Sequence, residues 1–177
     1  MRGELSMFGI TPFGLFHTLI SLLAVAAGVV GLVRYQEIGT RTGAGMAYVA
    51  LTIATCVTGF FIFHHGGFGK PHALGIITLV VLAIAYAAET RSFMGRASRY
   101  VAVVGYSLTF FFHIIPAFTE TATRIPSGHP LASSPDAPGL QAAIGGAFVV
   151  FLIGAGLQLR RLRAERRAPQ TPTTQFA

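Results

Sequence analysis

The chain has 177 residues, 53% hydrophobic and only 11% charged, with a formal net charge of +7 and no Trp; its mean hydropathy is +0.63. Soluble domains carry about a quarter charged residues, so this composition excludes an ordinary soluble globule and points to an integral membrane protein. The positive excess gathers at predicted helix ends, where membrane topology puts it, and is not a nucleic-acid signal; the one cysteine, Cys56, excludes an intramolecular disulfide and argues against a Cys-based metal site.

A membrane span takes about 20 mostly apolar residues. The first predicted span covers 11–33 and stops at Arg34. On it His17, Ser21, Ala24, Gly28 and Gly31 repeat at helical spacing and form one face of small residues. Small residues let helices approach closely in membranes, so this face, His17 included, is predicted to point inward. Ala24-Val25-Ala26 faintly resembles a signal-peptidase site. Arg2 is offset by Glu4, however, and the span is long enough to cross, so it is read as uncleaved.

The second span is predicted over 45–65, with Thr55, Thr58 and His65 on one face. The hairpin His64-His65-Gly66-Gly67-Phe68-Gly69-Lys70-Pro71-His72 follows. Its glycines would let backbone approach a ligand, and Lys70 could meet a haem propionate or another anion. The third span, 72–88, stops at Glu89 and Arg91, with Glu89 read as a helix end. The fourth, 100–119, aligns Ala102, Tyr106, Thr109 and His113, with Glu120 two turns beyond.

A Pro-, Ser- and Gly-rich loop is expected over 127–139, with His129 solvated in it. The fifth span, 140–159, carries Gly145, Gly146, Gly154 and Gly156 and no ionisable residue before Arg160, which reads as a packing helix outside the site. The predicted fold class is therefore all-α: a polytopic membrane helical bundle of five transmembrane helices, a four-helix core plus a C-terminal packing helix. The transmembrane domain is 1–160, and 161–177 is a basic cytoplasmic tail that fades into disorder.

Ten of the Lys and Arg residues fall on one side of these spans: Arg34, Arg41, Arg91, Arg96, Arg99, Arg160, Arg161, Arg163, Arg166 and Arg167. The other side has Arg2, Lys70 and Arg124. The positive-inside rule makes the ten cytoplasmic, with the N-terminus outside, in a bacterial cytoplasmic membrane.

This orientation places every histidine towards the outer face. At 1.5 Å per residue, His17 lies roughly 25 Å from Arg34, His113 roughly 21 Å from Arg99, and His72 roughly 28 Å from Arg91. Ionisable groups at membrane depth are costly and mark ligand sites or proton paths. Imidazole suits haem iron, zinc and copper, and two histidines on facing helices can hold a haem within a bundle. His17 and His113 are the first candidate axial pair and His65 with His72 the second. A non-haem zinc or copper site would draw on His17, His64, His65, His72, His113 and Glu120. The bland reading is that interfacial imidazoles and hydroxyls only hydrogen-bond between helices.

Four stretches carry a family resemblance: Phe16-His17-Thr18, Gly59-Phe60-Phe61-Ile62-Phe63-His64-His65, Lys70-Pro71-His72-Ala73 and Phe112-His113-Ile114-Ile115-Pro116. Over residues 17–126 the chain resembles the uncharacterised prokaryotic membrane-protein family DUF2306. One departure is Arg41-Thr42-Gly43-Ala44-Gly45, where many members carry a histidine; this weakens a two-haem reading. The family implies no activity. In architecture alone the chain is similar to four-helix b-type cytochromes, which implies haem b and electron exchange with quinone or quinol, or a periplasmic redox partner.

The sequence thus supports three expectations. The first is a redox protein with one haem b held by two of His17, His65, His72 and His113. The second is a histidine zinc or copper site, and the third an accessory membrane subunit without cofactor. No nucleophile–base constellation or phosphate loop is present, which speaks against hydrolase and NTPase activity.

Overall fold

The computed structural model describes residues 11–62, 67–91, 93–126 and 128–167. Five α-helices follow in order: α1 Pro12–Tyr35, α2 Gly43–Gly59, α3 Lys70–Arg91, α4 Ser98–Arg124 and α5 Pro138–Arg167, with a 3-10 turn at Gly95–Ala97 before α4. No strand occurs among the described residues.

Local chemistry sets the helix starts. Thr11 caps α1 by accepting from the Gly14 N–H at 3.1 Å, with Pro12 in the first turn, where its missing N–H costs nothing. Thr42 caps α2 by accepting from the Gly45 N–H at 3.0 Å. Gln36 closes α1 in the left-handed region, φ 60°.

Among the described residues, four helical segments are long and apolar enough to cross a membrane: Pro12–Tyr35, Lys70–Arg91, Gly95–Arg124 and Pro138–Arg167. The sequence predicts a fifth span over 45–65, but α2 ends at Gly59 after 17 residues. That length gives a rise of about 25 Å. Beyond it Phe61 N–H bonds Thr58 O and Ile62 N–H bonds Gly59 O, so the chain turns tightly instead of continuing the α-helix. α5 runs past its predicted limit to Arg167, so the first part of the basic tail is helical; residues 168–177 lie outside the description.

α1 packs along α2, α3 along α4, and α5 along α4, with α2 against α3 and a lighter α1–α4 contact. Small residues enable these approaches. A Cβ on Gly28 would lie 2.6 Å from Phe110 Cδ2, and one on Gly105 2.9 Å from Ala85 Cβ. The predicted small face of α1 is the buried one, with Ala24, Gly28 and Gly31 enclosed. Tyr48, Leu82, Ala85, Ala102 and Tyr106 form the core between α2, α3 and α4. The outward faces stay apolar, with Leu22, Val33, Ile77, Val80, Val150 and Ile153 all exposed, as lipid contact requires.

Candidate functional site

Antiparallel packing brings α1, α2 and α4 together at one junction. α1 contributes His17 and Ser21, α2 contributes Tyr48, Thr52 and Thr58, and α4 contributes Thr109 and His113. His113 is only 6% exposed. Its Nε2 lies 3.1 Å from Thr52 Oγ1. Its Nδ1 lies 3.5 Å from Ser21 Oγ, the long limit of a hydrogen bond. The Tyr48 ring meets the imidazole edge-on, with centroids 6.0 Å apart. Half-buried His17 places Nδ1 2.8 Å from Thr58 Oγ1.

Proton counting constrains these bonds. A hydroxyl has one proton. The Thr58 hydroxyl lies 2.8 Å from Ala54 O and 3.1 Å from Thr55 O, two carbonyls that compete with His17 for its one proton. When that proton goes to a carbonyl, His17 Nδ1 donates to Thr58 and Nε2 of the neutral ring presents a bare lone pair. The Thr109 hydroxyl donates to Tyr106 O at 2.8 Å, so the Tyr48 hydroxyl donates to Thr109 Oγ1, also at 2.8 Å.

His113 differs. Ser21 Oγ meets Nδ1, and Thr52 Oγ1 meets Nε2 while also hydrogen-bonding with the Tyr48 hydroxyl. Either hydroxyl can donate or accept. Each neutral tautomer of His113 therefore finds a hydroxyl at both ring nitrogens.

A second polar centre lies where α3 ends. Glu89 Oε2 accepts from Tyr106 Oη at 2.7 Å and from Thr40 Oγ1 at 2.9 Å, and the Thr40 N–H reaches both carboxylate oxygens at 3.1 Å. Sequence reasoning takes Glu89 for a simple helix end; the structure makes it a three-donor anchor between α3, α4 and the α1–α2 loop. Nearby, Glu37 pairs with Arg99 at 2.9 Å and with Arg161 at 2.7 Å. Arg161 also donates to Tyr35 O and Gln36 Oε1, and Gln158 joins Ser107 to Gln36 O. This network ties α5 to α1 and α4.

The other predicted site residues have separate roles. His72 is the third residue of α3, and its Nδ1 accepts the Gly69 N–H at 3.3 Å. That is the return arm of a capping box, with imidazole in place of the usual Glu or Gln. Its ring also tilts against Phe68, with centroids 5.3 Å apart. Lys70 pairs with Asp136 at 2.8 Å and is highly exposed. Glu120 pairs with Arg124 one turn on. His129 is exposed in the loop before α5. His64 and His65 lie outside the described residues. Among the described residues no group of three or more His, Cys, Asp or Glu is placed to hold a metal ion.

Sequence reasoning missed Tyr48, Thr52 and Glu89. Tyr48, Thr52 and Cys56 recur every four residues and form the buried face of α2 with Gly45. That spacing was the available signal, overshadowed by the neighbouring Thr55, Thr58 and His65 stripe.

No protein-family model, curated protein or solved structure matches the chain. The resemblance to the DUF2306 family therefore rests on the quoted stretches alone.

Proposed function

We propose that this is a multi-pass protein of the bacterial cytoplasmic membrane that carries protons through the α1–α2–α4 junction, with His113 as the carrying group. All five helices cross in this reading, and the arginine-rich ends face the cytoplasm. The observation that carries it is a buried imidazole with a hydroxyl, able to donate or accept, on each of its two nitrogens. Such a ring takes a proton at one nitrogen and releases one at the other, and the hydroxyl rotors then reset. Ionisable groups within membranes are costly and commonly belong to proton relays and ion pathways. Polar side chains serving only as interhelical glue need no such reversibility.

The test is proton flux in proteoliposomes holding a pH-sensitive dye, driven by a potassium diffusion potential with valinomycin. Wild-type protein should acidify or alkalinise the lumen according to the sign of the potential. His113→Leu should lower the rate to that of protein-free vesicles. Equal rates for wild type and His113→Leu would overturn the reading and favour an accessory subunit.

One observation favours haem binding as a second reading: the 2.8 Å contact of His17 Nδ1 with Thr58 Oγ1. A histidine whose Nδ1–H is held by a neighbour offers Nε2 as a metal ligand in a fixed orientation. A bis-histidine haem between His17 and His113 does not fit the described packing. Both His113 nitrogens face hydroxyls, and Gly28 and Gly59 bring α1 and α2 into close contact there. The haem reading is therefore one of a single axial ligand, His17, and electron exchange with a quinol or a periplasmic protein belongs to it.

A further inference from the structure

The buried junction needs access to water on both sides, and the arginine-rich end has a cleft suited to supply it. A cavity of about 50 Å³ is lined by Ile38, Gly39, Arg41, Glu89, Arg99 and Tyr106, together with Ala88, Ala102 and Val103. One water needs roughly 10–15 Å³ of such space and two to four polar partners. The cleft therefore has room for a few waters, and its guanidinium, carboxylate and hydroxyl groups supply the partners.

We infer that this cleft is the proton entrance at the arginine-rich end and that Glu89 is its first proton acceptor; the inference rests on the proton-carrying reading of His113. The two carboxylate oxygens are not equivalent. Oε2 is taken by Tyr106 Oη, Thr40 Oγ1 and the Thr40 N–H, whereas Oε1 meets only that N–H. Gly39 leaves the space beside Oε1 open, since a Cβ there would come within 3.0 Å of it. The incoming proton forms an O–H bond on Oε1 as one breaks in a cleft hydronium, leaving water. From Glu89 the proton passes to a water admitted beside Tyr106, which becomes hydronium as the carboxylate is restored. Tyr106 lies in the same buried cluster as Tyr48, the residue against His113. That water is needed because the Thr109 proton is directed at the Tyr106 carbonyl, so the described hydrogen bonds do not by themselves form an unbroken chain.

Other groups facing Glu89 narrow the alternatives. Arg99 is held by Glu37, and the Tyr106 hydroxyl donates into the carboxylate. The other cation lining the cleft, Arg41, is exposed to solvent.

Flux measurements on the full chain in proteoliposomes test the inference. Glu89→Gln, which keeps an oxygen to accept from Thr40 and Tyr106, should reduce flux at least tenfold. Gly39→Ala, which leaves the carboxylate intact but crowds Oε1, should reduce it severalfold and covers the case of a Glu89→Gln protein that does not fold. His113→Leu is measured alongside. Wild-type flux in Glu89→Gln and Gly39→Ala with none in His113→Leu would overturn the entrance and leave the His113 reading standing. Wild-type flux in all three would overturn both.

Discussion

His17 Nδ1 and Thr58 Oγ1 lie 2.8 Å apart, and with the Thr58 proton directed at its own helix backbone His17 is the donor. One turn further along α1, Ser21 faces His113 with a hydroxyl not committed elsewhere among the described bonds. Two imidazoles at one junction are thus held differently, His17 by a hydroxyl that two backbone carbonyls also engage and His113 between two hydroxyls.

Removing the fixing partner should release His17. In Thr58→Val the ring nitrogen signals of His17, read by 15N NMR in bilayers, should change from one tautomer to a mixture. Thr58→Ser, which keeps the oxygen, should retain the single tautomer. An unchanged His17 spectrum in Thr58→Val would show that Thr58 does not set the tautomer.

The two histidines should also respond oppositely to haem. Protein made with haem supplied should, on the second reading, give a high-spin spectrum typical of one axial ligand. His17→Ala should abolish it and His113→Ala should leave it. A low-spin spectrum lost in both variants would instead establish a bis-histidine haem and require α1 and α4 to part.

Helix contact at the junction leaves no room for added volume. Gly28→Ala puts a methyl carbon 2.6 Å from Phe110 and about 3.0 Å from Tyr48. Overpacking of this kind costs about 1–3 kcal/mol. Gly145→Ala on α5, with nothing within 4 Å of its added carbon, should be neutral. Unfolding in mixed micelles with increasing dodecyl sulfate, followed by circular dichroism, separates the two; equal stabilities would contradict the close α1–α4 approach.

The Glu37 pairing should matter through its network. Glu37 meets both Arg99 and Arg161, and its side chain is only 17% exposed. Truncating it leaves two guanidiniums short of an acceptor, so Glu37→Ala should destabilise more than Arg161→Ala. Breaking partly buried charge networks costs more than losing isolated surface pairs, which contribute about 0–1 kcal/mol. The same unfolding assay reads the order; the reverse order would place the anchor elsewhere.

Much of this architecture is legible in the chain. Long apolar runs ending in arginines give the helices, and the small-residue face of α1 and the Ala102-Tyr106-Thr109-His113 stripe of α4 are both buried as their spacing requires. The end of α2 was not legible, because apolar residues continue beyond Gly59 while the backbone changes to tight turns. Residue type makes His72 a candidate ligand, and only the position of the helix start shows that it also caps the backbone. Thr52 and Glu89 escaped for a different reason. Their partners, His113 and Tyr106, are distant in sequence or on another helix, and only packing brings them within hydrogen-bonding distance.

The most direct test of the central claim is 15N NMR of His113 in lipid bilayers, in wild type and in Ser21→Ala and Thr52→Val. The account predicts two exchanging tautomers in wild type, and a single tautomer of opposite kind in each variant. One fixed His113 tautomer, the same in all three proteins, would contradict it.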